Sequence, residues 1–163
     1  MNTNKKINMT EFLNQQYLCE CLTVREIETL LEFTDEVTFD KGAIIADVGE
    51  VGEALYFVVS GEAALAHPEE GGGTLELARA KEGEMLGSMS FFDREPRSIR
   101  IVAVQANTKL LRLRRVMYQR LRIEHPFIAV NLLEDAIVSL DRLFRRVSQD
   151  VATYSKYLYG GKR

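Results

Sequence analysis

Apolar positions along this chain change period twice. Between residues 10 and 34 they recur at helical intervals, first as Phe12, Leu13, Tyr17 and Leu18, then as Ile27, Leu30 and Leu31. Thr23 followed three residues later by Glu26 has the capping-box arrangement, which places a helix start there. From about Val37 the pattern becomes short β-rich runs punctuated by glycine. It predicts strands near 36–39, 43–47, 54–59, 62–68, 74–80, 84–86, 99–105 and 108–114. Eight short strands at close spacing indicate a jelly roll or small barrel rather than alternating βα units.

From about Pro126 the helical period returns. Val130, Leu133, Ile137, Leu140, Phe144, Val147, Val151, Tyr154 and Leu158 alternate steps of three and four without a break. A seam of that kind runs roughly 45 Å at 1.5 Å per residue, longer than one globular domain needs. It predicts a parallel two-stranded coiled coil, and so a homodimer joined through 126–158. The alternative is a single amphipathic helix packed on its own β domain. Glu134, Asp135, Asp141, Arg142, Arg145, Arg146 and Asp150 flank the seam and read as the solvated back of the helix.

Composition narrows the function classes. The chain has 163 residues, 46% hydrophobic and 28% charged, an ordinary globular balance with room for one good core. A formal net charge of −3 supplies no electrostatic pull towards nucleic acid. No apolar run approaches the roughly 18–20 residues that span a bilayer, and no signal peptide opens the chain, so a cytoplasmic address without membrane contact is expected. Cys19 and Cys21 stand too close for an easy disulfide and are too few for a zinc site. No Ser/His/Asp, Cys/His or metal spacing stands out, so a non-catalytic protein without a cofactor is expected. The triple glycine of "HPEEGGGT" lacks the Gly-Lys-Ser/Thr of a phosphate loop and reads as a hairpin tip.

Two stretches carry chemistry. "VGEVGEALYFVVSGEAAL", Val48 to Leu65, resembles the Gly-acid-x-Gly-acid-x-Leu-Tyr-x-x-x-Ser-Gly signature of cyclic-nucleotide-binding domains, with Gly49, Gly52, Leu55, Tyr56, Ser60 and Gly61 in place. "MLGSMSFFDREPRSIRIVAV", Met85 to Val104, resembles the phosphate-binding cassette of that family, matching at Gly87, Met89, Ser90, Pro96, Arg97 and Ser98. The resemblance extends over about residues 10 to 150, to the sensor half of the catabolite-activator regulators and to the regulatory subunits of cyclic-AMP-dependent kinase. It implies a mainly β fold with flanking helices: an eight-stranded jelly roll (double-stranded β-helix), short N-terminal helices and a long C-terminal dimerisation helix. The chain then divides into a loose 1–9, a sensor domain 10–125, the dimer helix 126–158 and a tail 159–163.

The cassette also makes physical sense unaided. A short helix opening after Gly87 turns unpaired N–H groups towards one spot. Glycine permits close approach to the backbone there. Arg97 offers a planar fork suited to phosphate oxygens, and Ser98 a hydroxyl beside it. The resemblance implies that Gly87, Ser88, Met89, Ser90, Arg97 and Ser98 surround the ligand, cyclic AMP or cyclic GMP. The bland alternative is an Arg97 paired with Asp93 or Glu95 at the surface.

The chain departs from the family pattern at Ser88, where glutamate normally accepts from the ribose 2′-hydroxyl. Loss of that contact weakens a cyclic nucleotide about ten- to a hundredfold. Ile99 adds bulk where alanine is usual. On the closing helix, Leu143 and Phe144 stand where bacterial members set polar groups against the purine; they can cover a base without reading its edge. Three readings therefore stay open: a cyclic-nucleotide sensor, a sensor of another small anion, and a degenerate dimeric scaffold for a protein partner. A helix-turn-helix after the dimer helix is not expected, nor is direct DNA contact.

Overall fold

The computed structural model describes Met9 and residues 22–159, without the side chains of 156–159. The first predicted helical run and both cysteines lie outside the described residues, as do the tail's last four positions. Helix α1 spans Val24–Glu32 and opens on the expected capping box: the Glu26 N–H donates to the Thr23 hydroxyl, and the Thr23 N–H donates to the Glu26 carboxylate at 2.8 Å. Its Ile27, Leu30 and Leu31 face inward.

All eight predicted strands form: β1 Asp35–Phe39, β2 Ile44–Ala46, β3 Ala54–Ser60, β4 Ala63–Pro68, β5 Thr74–Ala80, β6 Met85–Leu86, β7 Arg100–Ala103 and β8 Thr108–Arg114. They make two four-stranded sheets, ordered β1-β8-β3-β6 and β2-β7-β4-β5, with every pairing antiparallel. This is the eight-stranded jelly roll.

Why the central strands carry unbroken apolar runs follows from the strand period of two. On β3, Val58 and half-buried Tyr56 face the space between the sheets, where Leu110, Leu86, Ile101 and Ile45 meet them. Leu55 and Phe57 point the other way, and so do Leu111 and Leu113 of β8. That second face is covered by helices. The first sheet is thus sandwiched on both sides, which is why β3 runs apolar from Ala54 to Val59 without alternation.

Three further helices complete the cover. The short α2, Ser88–Asp93, follows β6. Helix α3, Arg115–Glu124, follows β8 directly. Sequence reasoning missed α3, although its buried Tyr118 and Leu121 keep a helical interval; polar and charged neighbours dilute the stripe over ten residues. Helix α4, Pro126–Tyr159, is the long closing helix, 34 residues and about 50 Å.

Helix α4 carries two stripes. Ile128, Ala129, Leu132 and Ala136 are buried against the domain's own core. Val130, Ile137, Phe144, Val147 and Val151 face away from it, and Ile137 is 66% exposed, while Leu133 borders a cleft with Phe92 and Tyr118. Among the seam side chains described, only Leu140 is half-buried. The heptad read from sequence is the outward stripe, and the packed stripe runs beside it. No helix among the described residues is long and apolar enough to cross a membrane.

Candidate functional site

The cassette is built by turns that only particular residues allow. Gly87, which caps α2, has φ +83, and a side chain there would press on the Ala54 carbonyl at 3.2 Å and on the Arg97 guanidinium. The chain then makes one and a half turns of helix and leaves through Arg94 at φ 63. Segment 94–98 is stitched to the loop after β2. The Arg97 N–H donates to the Glu50 carbonyl at 2.9 Å, the Gly49 N–H to the Arg97 carbonyl at 2.8 Å, and Val51 bridges Pro96. Backbone hydrogen bonds therefore set where Arg97 begins.

Its side chain lies between the two glycines. A Cβ at Gly52 would meet Arg97 Nη2 at 2.9 Å, and one at Gly87 would meet the same atom at 3.3 Å. Among the described residues the guanidinium has no hydrogen bond or ion pair. The surface pairing with Asp93 or Glu95 does not form; instead the Asp93 carboxylate accepts from the Glu95 N–H at 2.9 Å. Burial holds the Arg97 guanidinium below its usual range, opposed by the nearby Tyr56, Glu50 and Asp93. Burial likewise pushes the Tyr56 phenol up, while Arg112 and Arg97 pull it down. A half-buried cation without an anion is an unfinished arrangement.

That guanidinium faces a cavity of about 280 Å³. Gly87, Ser88, Met89, Ser90, Arg97 and Ser98, the six residues singled out in the cassette, all line it. They are not equivalent. The Ser90 hydroxyl accepts from the Gly52 N–H at 2.7 Å and donates to the Glu95 carbonyl at 2.6 Å, so its proton holds the wall together. Ser88 is buried and brings no carboxylate. Leu143 and Leu140 of α4 reach the cavity as well. Phe144 does not line it; it lies 71% exposed with the outward stripe.

Three features were not read from the sequence. The first is a correction: Arg142 and Arg146, taken as the solvated back of α4, line the cavity with Ser139. Their spacing of 139, 142 and 146 puts them on one helical face, but nothing in the sequence shows which face the β-roll presents. The second is Arg79 and Glu84, brought to the cavity from β5 and the turn before β6.

The third is Arg115. Its guanidinium donates to the Phe91 carbonyl at 2.8 Å and to the Gly52 carbonyl, pairs with Glu53 at 3.3 Å, and lies 4.4 Å over the Phe91 ring. One side chain thus ties the cassette to the start of α3. Tyr118 continues the link, with ring centroids 5.3 Å from Phe91 and 5.8 Å from Phe92.

Asp135, on α4 one turn before the cavity-lining Ser139, carries a pH signature. Its carboxyl is pushed up to about 6, chiefly by burial; Arg142 pulls it down and Glu84 pushes it up, both by less. The folded state then holds this proton more tightly than the unfolded chain, so stability falls as pH rises from about 4 through about 6. The cost is complete above that window. Asp135→Asn should therefore raise stability by about 1–2 kcal/mol near neutrality, below the full linkage value because the carboxyl is only partly buried, with the gain gone by about pH 4. Urea titrations at the two pH values check this; an equal gain at both would show that the carboxyl is not the cause. Among the described residues no cluster of three His, Cys, Asp or Glu side chains could hold a metal ion.

With this geometry in hand, the similarities to known proteins can be placed. Residues 36–125 match the family model described as the cyclic nucleotide-binding domain. The cyclic AMP receptor protein of Thermus thermophilus is 33% identical over 141 residues, 82% of this chain and 65% of the relative. The regulatory subunit of the cAMP-dependent protein kinase of Mucor circinelloides is 29% identical over 103 residues, 63% of this chain and 24% of that one. The chain thus spans less than two thirds of either relative. Among solved structures, the Thermus thermophilus catabolite activator protein superposes with a TM-score of 0.68 at 33% identity, over 85% of this chain and 62% of that chain.

Proposed function

Since the chain belongs to the cyclic nucleotide-binding domain family, we propose that its cavity takes a cyclic nucleotide, phosphate on Arg97, and that the protein is a ligand-sensing regulatory module. The observation that carries this reading is the half-buried Arg97 guanidinium facing a cavity without an anionic partner among the described residues. Around it stand the first N–H groups of α2, which have no acceptor within the helix. Gly87, Met89 and Ser98 complete the phosphate end. The Thermus relative's name, a cyclic AMP receptor protein, supports the same ligand class.

Ser88 favours a second reading. It is buried at the position where a ribose-binding carboxylate is expected, and it offers only a hydroxyl. A cavity with a phosphate end but no ribose acceptor also suits another small anion. Isothermal titration with cyclic AMP and cyclic GMP separates the two; silence with both nucleotides, together with anion-dependent melting, would favour the second.

The relay would run through packed rings and Arg115. A ligand that draws Arg97 and α2 inward moves Phe91 and Phe92 against Tyr118, and hence α3 against α4. It shifts the population only by as much as its affinities for the two arrangements differ. The outward stripe of α4 suits pairing with a second copy, from Val130 to Val151, and a separate protein would receive the signal. A non-catalytic, cytoplasmic role belongs to the same reading.

Ile137 tests the pairing cleanly, because it contributes nothing to the core of its own domain. Ile137→Asp should leave the circular dichroism and melting of the β domain in place while shifting the sedimenting species from dimer to monomer. A wild-type chain that sediments as a monomer at high concentration sinks the homodimer.

A further inference from the structure

Resting on the reading of the cavity as a cyclic-nucleotide site, we infer that it selects guanine over adenine, and that Arg142 and Arg146 of α4 set this preference. Both line the cavity together with Ser139 and Leu143, from a wall distinct from the one that carries Arg97. The Arg146 head is held at this wall by two contacts. Its Nη2 pairs with Glu84 at 3.3 Å, and its Nη1 donates to the Arg79 carbonyl at 3.5 Å. A guanidinium has five N–H donors, so two contacts orient the fork without using it up. Glu84 fixes the head in place, as a supporting group does for a binding residue.

The two purines differ in what they show to such a wall. Guanine presents two neighbouring acceptors, O6 and N7, and Arg pairs with both at once. Adenine presents N7 beside an amino donor, which sets donor against donor on a guanidinium. The complementary partner for adenine is the side-chain amide of Asn or Gln, and among the described residues none lining this cavity is either. Guanine also carries a 2-amino donor that adenine lacks; the Glu84 carboxylate on the same wall takes the Lys81 N–H at 2.9 Å on one oxygen and Arg146 on the other, and its remaining lone pairs can accept it. Leu143 supplies an apolar surface for the flat face of the base. Every polar group that α4 and the turn before β6 contribute therefore suits guanine at least as well as adenine, and the arginines suit it better.

The test is calorimetric titration of the full chain with cyclic GMP and cyclic AMP, in wild type, Arg142→Ala and Arg146→Ala. Cyclic GMP should bind about tenfold or more tighter than cyclic AMP to the wild type. At least one alanine variant should lose most of that ratio through weaker cyclic GMP binding, with cyclic AMP changed by less than about threefold. Circular dichroism confirms that each variant is folded, and Arg146→Lys, which keeps the charge but not the fork, should also lower the ratio. Equal or tighter binding of cyclic AMP by the wild type overturns the guanine preference and leaves the cyclic-nucleotide reading standing. Binding of neither nucleotide overturns that reading, and the preference with it. A full ratio retained in all three variants overturns the assignment to these two arginines.

Discussion

Arg97→Ala should abolish cyclic-nucleotide binding while leaving the ligand-free protein as stable as before, or slightly more so. Removing one partner of a buried, hydrogen-bonded charge pair costs about 2–5 kcal/mol, or roughly thirty- to several-thousand-fold in affinity. The ligand-free expectation has the opposite sign for a physical reason. Burial holds the guanidinium below its usual range; Glu50 and Asp93 offset that only in part, and no carboxylate among the described residues pairs with it directly. Taking it away therefore removes a cost and no native bond. Arg97→Lys should fall between, because an ammonium keeps the charge without the two parallel donors. Calorimetry on the three proteins gives the affinities, and thermal melts without ligand give the stabilities. Wild-type affinity in Arg97→Ala would end the sensor reading. A large drop in its ligand-free melting temperature would show that the side chain is a structural member instead.

The second large effect is expected at Gly52, which is buried beneath the cassette. Its N–H donates to the Ser90 hydroxyl and its carbonyl accepts from Arg115, so its backbone is fixed on both sides. A Cβ there would come within 2.7 Å of the Phe91 nitrogen, 2.8 Å of the Ser90 carbonyl carbon and 2.9 Å of Arg97 Nη2. Two of those atoms are backbone of α2 and cannot rotate away. Gly52→Ala must displace the helix, at about 1–3 kcal/mol for an overpacked site, or several degrees in melting temperature. It should also misplace Arg97 and weaken the ligand. Gly73→Ala is the control: its Cβ would meet chiefly Glu69 Oε2 at 2.7 Å, the free end of a flexible side chain. That change should stay within about 0.5 kcal/mol. Similar losses at both positions would mean that general glycine flexibility, not the close approach at Gly52, explains the effect.

How much of the site was legible beforehand varies residue by residue. The capping box at Thr23 and Glu26, all eight strands, the turn at Gly87 and the place of Arg97 rest on local rules, and each formed where it was expected. The six cassette residues do share one cavity. Yet equal membership in a motif hid unequal jobs: Ser90 spends its proton holding the wall, while the Arg97 guanidinium has no such engagement among the described residues. Helix α3 escaped because its apolar stripe is short. Arg115 escaped because its partners, the Gly52 and Phe91 carbonyls, are backbone atoms that no side-chain pattern announces.

Helix α4 shows the boundary between the two kinds of knowledge. Local sequence settled that it is a helix, how long it is, and that an apolar heptad runs down it, because the 3.6-residue period turns spacing directly into faces. Sequence likewise settled the strands and the sharp turns, and singled out Arg97 as the arginine within the cassette motif. Which face of α4 meets the β-roll was decided only by the burial of Ile128, Leu132 and Ala136 in one core cluster with Met85, Leu55 and Leu113, residues earlier in the chain. That packing swings Arg142 and Arg146 from an apparent solvated back into the wall of the cavity, and half-buries Asp135. Periodicity specifies an angle around a helix axis; only contacts between distant segments specify what lies in that direction.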